Sequence, residues 1–236
     1  MENKHKDTIM QKLLWLAVIV SIGIGGYCAL YSLSKQNEDR KKQEVLKKTS
    51  LEVEKCVKEI EAVCEKADSL KQANKLIQHK ILWIDMIGKP AAPVLIKKFK
   101  NKKKNILFRI IMAELLSMTM NPEVVPEIIK VSGDLSESLE IRISAVIILG
   151  KINDESAVPA LEEILNKEPL ELQMPAAYAL GEMRSEEAMD ILNEKLLKGC
   201  DPQLEKEIKI ALAKKGTRNK DKGPWWPGKE PVPTDS

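Results

Sequence analysis

Three stretches of the chain superimpose in their order of apolar and polar positions: ILFRIIMAELLS (106–117), LEIRISAVIILG (139–150) and LELQMPAAYALG (170–181). A looser copy, QLEKEIKIALAK, follows at 203–214, and successive copies are offset by 33, 31 and about 32 residues. After each clear copy come a short turn and a second apolar stretch: NPEVVPEIIKV, DESAVPALEEIL and SEEAMDILNEKLL. KPAAPVLIKKF, at 89–99, is an earlier copy of that second stretch. A period of this length, made of two apolar segments joined by a turn, predicts a stack of helix–turn–helix units.

The second stretches carry the clearer register. Ala92, Leu95 and Phe99 match Val125, Ile128 and Ser132, then Val158, Leu161 and Leu165, then Met189, Leu192 and Leu196. Steps of three and four place each set on one face of a helix. Pro93, Pro126 and Pro159 recur one residue after the start of the second helix, where a missing N–H leaves no bond unmade. Gly150 and Gly181 close the first helices, which suggests left-handed C-caps. Ser117 takes that place in the earlier copy, so a poorer cap is expected there.

The pattern resembles the bacterial and archaeal HEAT-like repeats, particularly the short type named after phycobilisome lyases. Arg142, Ala145, Leu149-Gly150, Ala157-Val158-Pro159 and Leu161 carry the likeness, echoed by Ala176-Ala177 and Leu180-Gly181. It covers roughly residues 70–215 and implies an all-α fold, a HEAT-like right-handed α-solenoid with the second helices lining the concave face. It is specific for fold and silent on activity, since such repeats serve as scaffolds, lyase subunits and regulators.

Ahead of the repeats the pattern changes twice. Leu13 to Leu33 holds no charged residue, and its 21 positions span roughly 30 Å as a helix, the thickness of a hydrocarbon core. Trp15 near one end, with Tyr27 and Tyr31 near the other, fits an interfacial belt. The run is long for a signal-peptide core and lacks a clear A-x-A site after it, so a retained single-pass anchor is expected. The side on which the soluble part lies stays open. Lys35, Arg40, Lys41, Lys42, Lys47 and Lys48 favour a cytoplasmic domain by positive charge, whereas the short basic N-terminus favours the reverse.

From 35 to 70 the chain is rich in Lys, Glu, Gln and Leu. Leu46, Val53, Ile60 and Ala67 recur every seven residues, with Val57 and Cys64 at the offset of four. That partial heptad seam fits either a homodimeric stalk or one amphipathic helix packing on the next domain. The expected order is an N-terminal tail (1–12), a transmembrane helix (13–33), a helical stalk (34–70), a repeat domain (71–216) and a Pro/Trp tail (217–236).

Composition narrows the chemistry. The only histidines are His5 and His79, too few for a His-built zinc or di-iron site in the repeats or for a His relay. Cys28, Cys56, Cys64 and Cys200 show no metal spacing. No phosphate loop, nucleophile elbow or paired-carboxylate constellation is present. With 38 basic and 35 acidic residues, the chain is not a whole-domain nucleic-acid binder. No catalytic residue, cofactor or metal is expected.

Charge is nevertheless uneven. Lys89, Lys97, Lys98, Lys100, Lys102, Lys103, Lys104 and Arg109 fall in a stretch without acids, read either as an anion-binding surface or as a solvated inter-repeat loop. From Asp154 to Glu194, acids dominate. The tail contains Pro224-Trp225-Trp226-Pro227, either a docking motif or a cap for the open last repeat.

The sequence therefore reads as a membrane-anchored, non-catalytic scaffold for protein partners. An accessory subunit or lyase-like enzyme, holding a small molecule on the concave face, is the competing reading. Equivalent positions on successive second helices give a ladder of Lys97, Lys130, Glu163 and Glu194, flanked by Ile96, Ile129, Glu162 and Asn193. Lys97, Lys130, Glu162, Glu163 and Glu194, with Trp225 and Trp226, are the candidate protein-binding residues. A partner lying along the ladder should carry the reverse order of charge.

Overall fold

The computed structural model describes residues 35–213, all of whose regular elements are helical: α1 (35–64), then α2 (Leu70–Ile87), α3 (Ala92–Phe99), α4 (Ile106–Met118), α5 (Val125–Ser132), α6 (Leu139–Ile152), α7 (Val158–Lys167), α8 (Leu170–Met183), α9 (Glu186–Lys198) and α10 (Pro202–Ala213). The expected membrane span at 13–33 and the tail at 217–236 lie outside the described residues. Among the described residues, no helix is long and apolar enough to cross a membrane.

The second helices α3, α5 and α7 each begin from a 3-10 turn, at Lys89–Ala91, Pro122–Val124 and Glu155–Ala157. Two of these turns have a side-chain cap: Asn121 Oδ1 accepts from Glu123 N at 3.0 Å, and Asp154 Oδ1 accepts from Ser156 N at 3.0 Å. Pro93, Pro126 and Pro159 then occupy the second helical position, where proline's fixed φ suits the first turn. The faces read from sequence are the buried ones. Leu95, Phe99, Ile128, Leu161, Leu165 and Leu192 are all fully buried.

The glycines serve a different purpose from the one expected. α6 and α8 run past Gly150 and Gly181, and the left-handed caps are Asn153 (φ 58°) and Arg184 (φ 53°). A Cβ on Gly150 would stand 2.7 Å from Cα of Ala179, and one on Gly181 would stand 2.5 Å from Cβ of Ala211. The hydrogen side chain lets adjacent first helices approach closely. At the equivalent level of α4 stand Ser117 and, facing it by the same offset, Val146. A small cavity of about 20 Å³ opens there between α4 and α6.

α4, α6, α8 and α10 accordingly form one closely packed layer, and α3, α5 and α7 each pack on the first helix that follows. The second helices scarcely touch one another. The first helices therefore form the tighter layer of the stack and the second helices the looser one.

A repeated arginine ties the layers together. Arg109 Nε donates to Phe99 O at 2.7 Å, and its two terminal nitrogens bond both oxygens of Glu137 at 2.8 Å. Arg142 Nε donates to Ser132 O at 2.8 Å, and its Nη2 lies 2.7 Å from Glu168 Oε1. Each guanidinium thus fastens the end of one second helix to the loop that precedes the next first helix. Gln173 stands in the third copy and reaches only Glu168 O, at 2.6 Å.

The chain divides into two compact units, 1–48 and 49–236. Residues 35–48 are helical and exposed throughout. In the second unit, Val53, Val57, Ile60 and Cys64 belong to the unit's own buried core. Those seam positions are consumed within the chain and do not present an apolar stripe to a second copy, so a homodimeric coiled coil through 49–64 has no seam to use.

Candidate protein-binding surface

The charged ladder lies on the second-helix layer. Lys97, Lys130, Glu163 and Glu194 are all exposed, and Glu162 is half-buried. Three rungs have partners on their own helix: Lys130 bonds Glu127 at 2.8 Å, Glu163 bonds Lys167 at 3.0 Å and Glu194 bonds Lys198. Lysines on Glu127, from Lys100 first and Lys130 second, hold its carboxyl down at about 2. Because the second helices are splayed, the rungs form separate charged points. Trp225 and Trp226 lie outside the described residues.

Half of the basic stretch is spent within the chain. Lys100 pairs with Glu127, Lys104 with Glu61, Lys102 with Asp134 at 2.7 Å and Arg109 with Glu137. Those pairs join the segment after α3 to α1, to α5 and to the loop before α6, so the lysine-rich loop fastens its neighbours together. The acidic half is organised differently. Glu155, Glu162, Glu186, Glu187, Asp190 and Glu194 line an open groove of about 530 Å³ between α7 and α9.

The first-helix layer carries a feature that the sequence reading missed. Ile110, Ile143 and Met174 occupy equivalent positions on α4, α6 and α8, and each is half-buried. One turn further on, Glu114, Ile147, Tyr178 and Ile210 form a second row, and Ile210 is 43% exposed. Apart from Glu114, both rows are apolar, and their side chains stay partly open to water on the first-helix layer. Tyr178 is pushed up to about 12 by burial and by the nearby carboxylates of Glu182 and Glu207. The periodic signal for these rows is weak because the first helices are apolar almost all round.

Among the described residues, no group of three or more His, Cys, Asp or Glu could hold a metal ion. Burial pushes the Cys64 thiol up to about 11, which keeps it protonated and weakly nucleophilic near neutral pH. The cavity between α4 and α6, lined by Ile110, Ser117, Ser144, Ile147 and Lys151 among others, has room for about one water.

Comparison with known proteins agrees with this geometry at the level of fold. A family model described as HEAT repeats matches residues 92–172 and again 136–213, which together cover just over half of the chain. Among solved structures, the complex of CpcE and CpcF of phycocyanin lyase from Nostoc sp. PCC7120 matches with a TM-score of 0.53 and 16% identity, over 66% of this chain and 96% of that one. Human deoxyhypusine hydroxylase in complex with glycerol matches with a TM-score of 0.30 and 14% identity, over 70% of this chain and 97% of that one. No curated protein matches the sequence.

Proposed function

The chain belongs to the HEAT-repeat family, and from that premise we propose that it is a non-catalytic scaffold that binds a partner protein on its first-helix face. The observation that carries this reading is the set of apolar side chains in register across α4, α6 and α8: Ile110, Ile143 and Met174, with Ile147 and Tyr178 beside them. Isoleucine, methionine and tyrosine held at the surface in register across successive helices form a contiguous patch of the kind that marks protein-binding sites. The solved neighbour belongs to a two-protein complex, which supports a protein ligand for this fold.

The same reading places residues 13–33 in a membrane, on the strength of their 21 uncharged positions. Lys97, Lys130, Glu162, Glu163 and Glu194 then act from the second-helix layer, where separate charges steer an approaching partner more than they hold it. A lyase-like or cofactor-holding role finds less support. Small-molecule sites are concave, mostly apolar and bury most of their ligand. The cavity between α4 and α6 is only about 20 Å³. The groove between α7 and α9 is open and lined by six carboxylates, and the groove on α10 is also open.

Photo-crosslinking in intact membranes tests the proposal. A crosslinker at Ile147 or Tyr178 should yield one discrete adduct that Ile143→Asp abolishes while the fold is retained. The same group at Lys130 or Glu163 should yield little of it. Adducts from the second-helix positions alone would move the site back to the charged ladder.

A further inference from the structure

The repeat array reaches α10 with one side of that helix still shaped for a neighbour. α10 buries Leu204, Ile208 and Ala211 and packs on α8 and α9. Its other side carries Pro202, Glu205, Lys206, Lys209, Ile210 and Ala213, which line an open groove of about 480 Å³. Steps of three and one put these six on a single helix face. The proline ring, the isoleucine, the alanine methyl and the lysine stems give that groove a mainly apolar wall.

Counting back by the repeat offset of about 32 turns these positions into Leu170, Gln173, Met174, Ala177, Tyr178 and Gly181. On α8 that is the side that receives α10, with Gly181 against Ala211. The groove therefore occupies the place of a next first helix. An α-solenoid needs its terminal apolar face covered.

The chain supplies a candidate occupant at that spot. Ala213 lines the groove, and residues 214–236 follow it, including Gly223-Pro224-Trp225-Trp226-Pro227-Gly228. The stretch from Ala213 to Trp225 reaches about 40 Å when extended, whereas α10 is only about 18 Å long. Every part of the groove is within range. Prolines on both sides of the tryptophan pair restrict it to extended backbone, which reduces the entropy lost on docking. Two indoles bring a large apolar area, and the Lys206 ammonium at the groove can lie against an indole face.

We propose that Trp225 and Trp226 dock in the α10 groove of their own chain and cap the last repeat in place of a further helix. Ile210 then belongs to the cap, and the partner surface proposed above is left to α4, α6 and α8.

Hydrogen exchange on the full-length chain tests it, over a range of protein concentrations. Replacing both tryptophans (Trp225→Ala with Trp226→Ala) should raise amide exchange across 202–213 about tenfold, the scale expected for uncovering a large apolar side chain. Ile210→Glu, which alters the groove without touching the buried side of α10, should do the same. Combining the two changes should add little further. Unchanged exchange in both variants overturns the proposal. So does protection that fades on dilution, because that behaviour assigns the groove to a second copy of the chain.

Discussion

At the residue scale, the most informative positions are those whose side chains are defined by a neighbour one repeat away. Gly150 reads from sequence as a helix terminator, but its role depends on Ala179, 2.7 Å from where a Cβ would be. No local pattern contains that distance. Gly150→Ala should lower stability by up to about 2 kcal/mol, because overpacking costs roughly 1–3 and better helix propensity returns about 1. Adding Ala179→Gly should recover part of the loss, read as the denaturant midpoint at constant slope. The arginine ties give a second comparison. The Glu137 side chain is 4% exposed and that of Glu168 is 21% exposed. Glu137→Ala leaves a buried Arg109 charge facing only the Phe99 carbonyl, at a cost of about 3 kcal/mol, whereas Glu168→Ala should cost about 1. Equal losses in the two variants would mean that solvent reaches Arg109.

At the element scale, the second helices were legible and the first were not, for one physical reason. α3, α5 and α7 have one buried side and one wet side, so the three-and-four spacing of Leu95, Ile128 and Leu161 names the core directly. Leu161→Asp should therefore cost several kcal/mol, since it buries a carboxylate without a partner; near-normal melting would mean the register is wrong. α4, α6 and α8 touch helices on nearly every side, so Ile110, Ile143 and Ile147 look like core until the stack is assembled. Composition overstated the lysine loop for a related reason. Its charges are answered by Glu61, Glu127 and Asp134, which lie far away in sequence. Those pairs also set an acid response. Glu127 is held at about 2 against an ordinary 4.5, so its contribution is complete above about 4.5 and disappears as pH falls toward 2. Stability measured across that window should fall less in Glu127→Gln than in the parent chain.

At the scale of the whole molecule, the repeat length was enough to establish the architecture, because units about 32 residues apart can bury their faces only by stacking. The close spacing of the first helices comes from the Gly150–Ala179 and Gly181–Ala211 contacts and has no signature within a single repeat. The same distinction governs the N-terminal half of the chain. The seven-residue spacing of Val53 and Ile60 allowed both a dimer and an intrachain helix, and only the assembled core decides between them. Among the described residues, the buried core runs from Val53 to Ala211 and draws on nothing before residue 49. A chain beginning at residue 35 should therefore be soluble, strongly helical and cooperative in its unfolding. It should also stay monomeric at micromolar concentrations by light scattering, since Val57 and Cys64 are already covered. A stable dimer that Val57→Asp dissolves without unfolding the protomer would show that the seam opens in solution, and would return α1 to the role of a coiled-coil stalk.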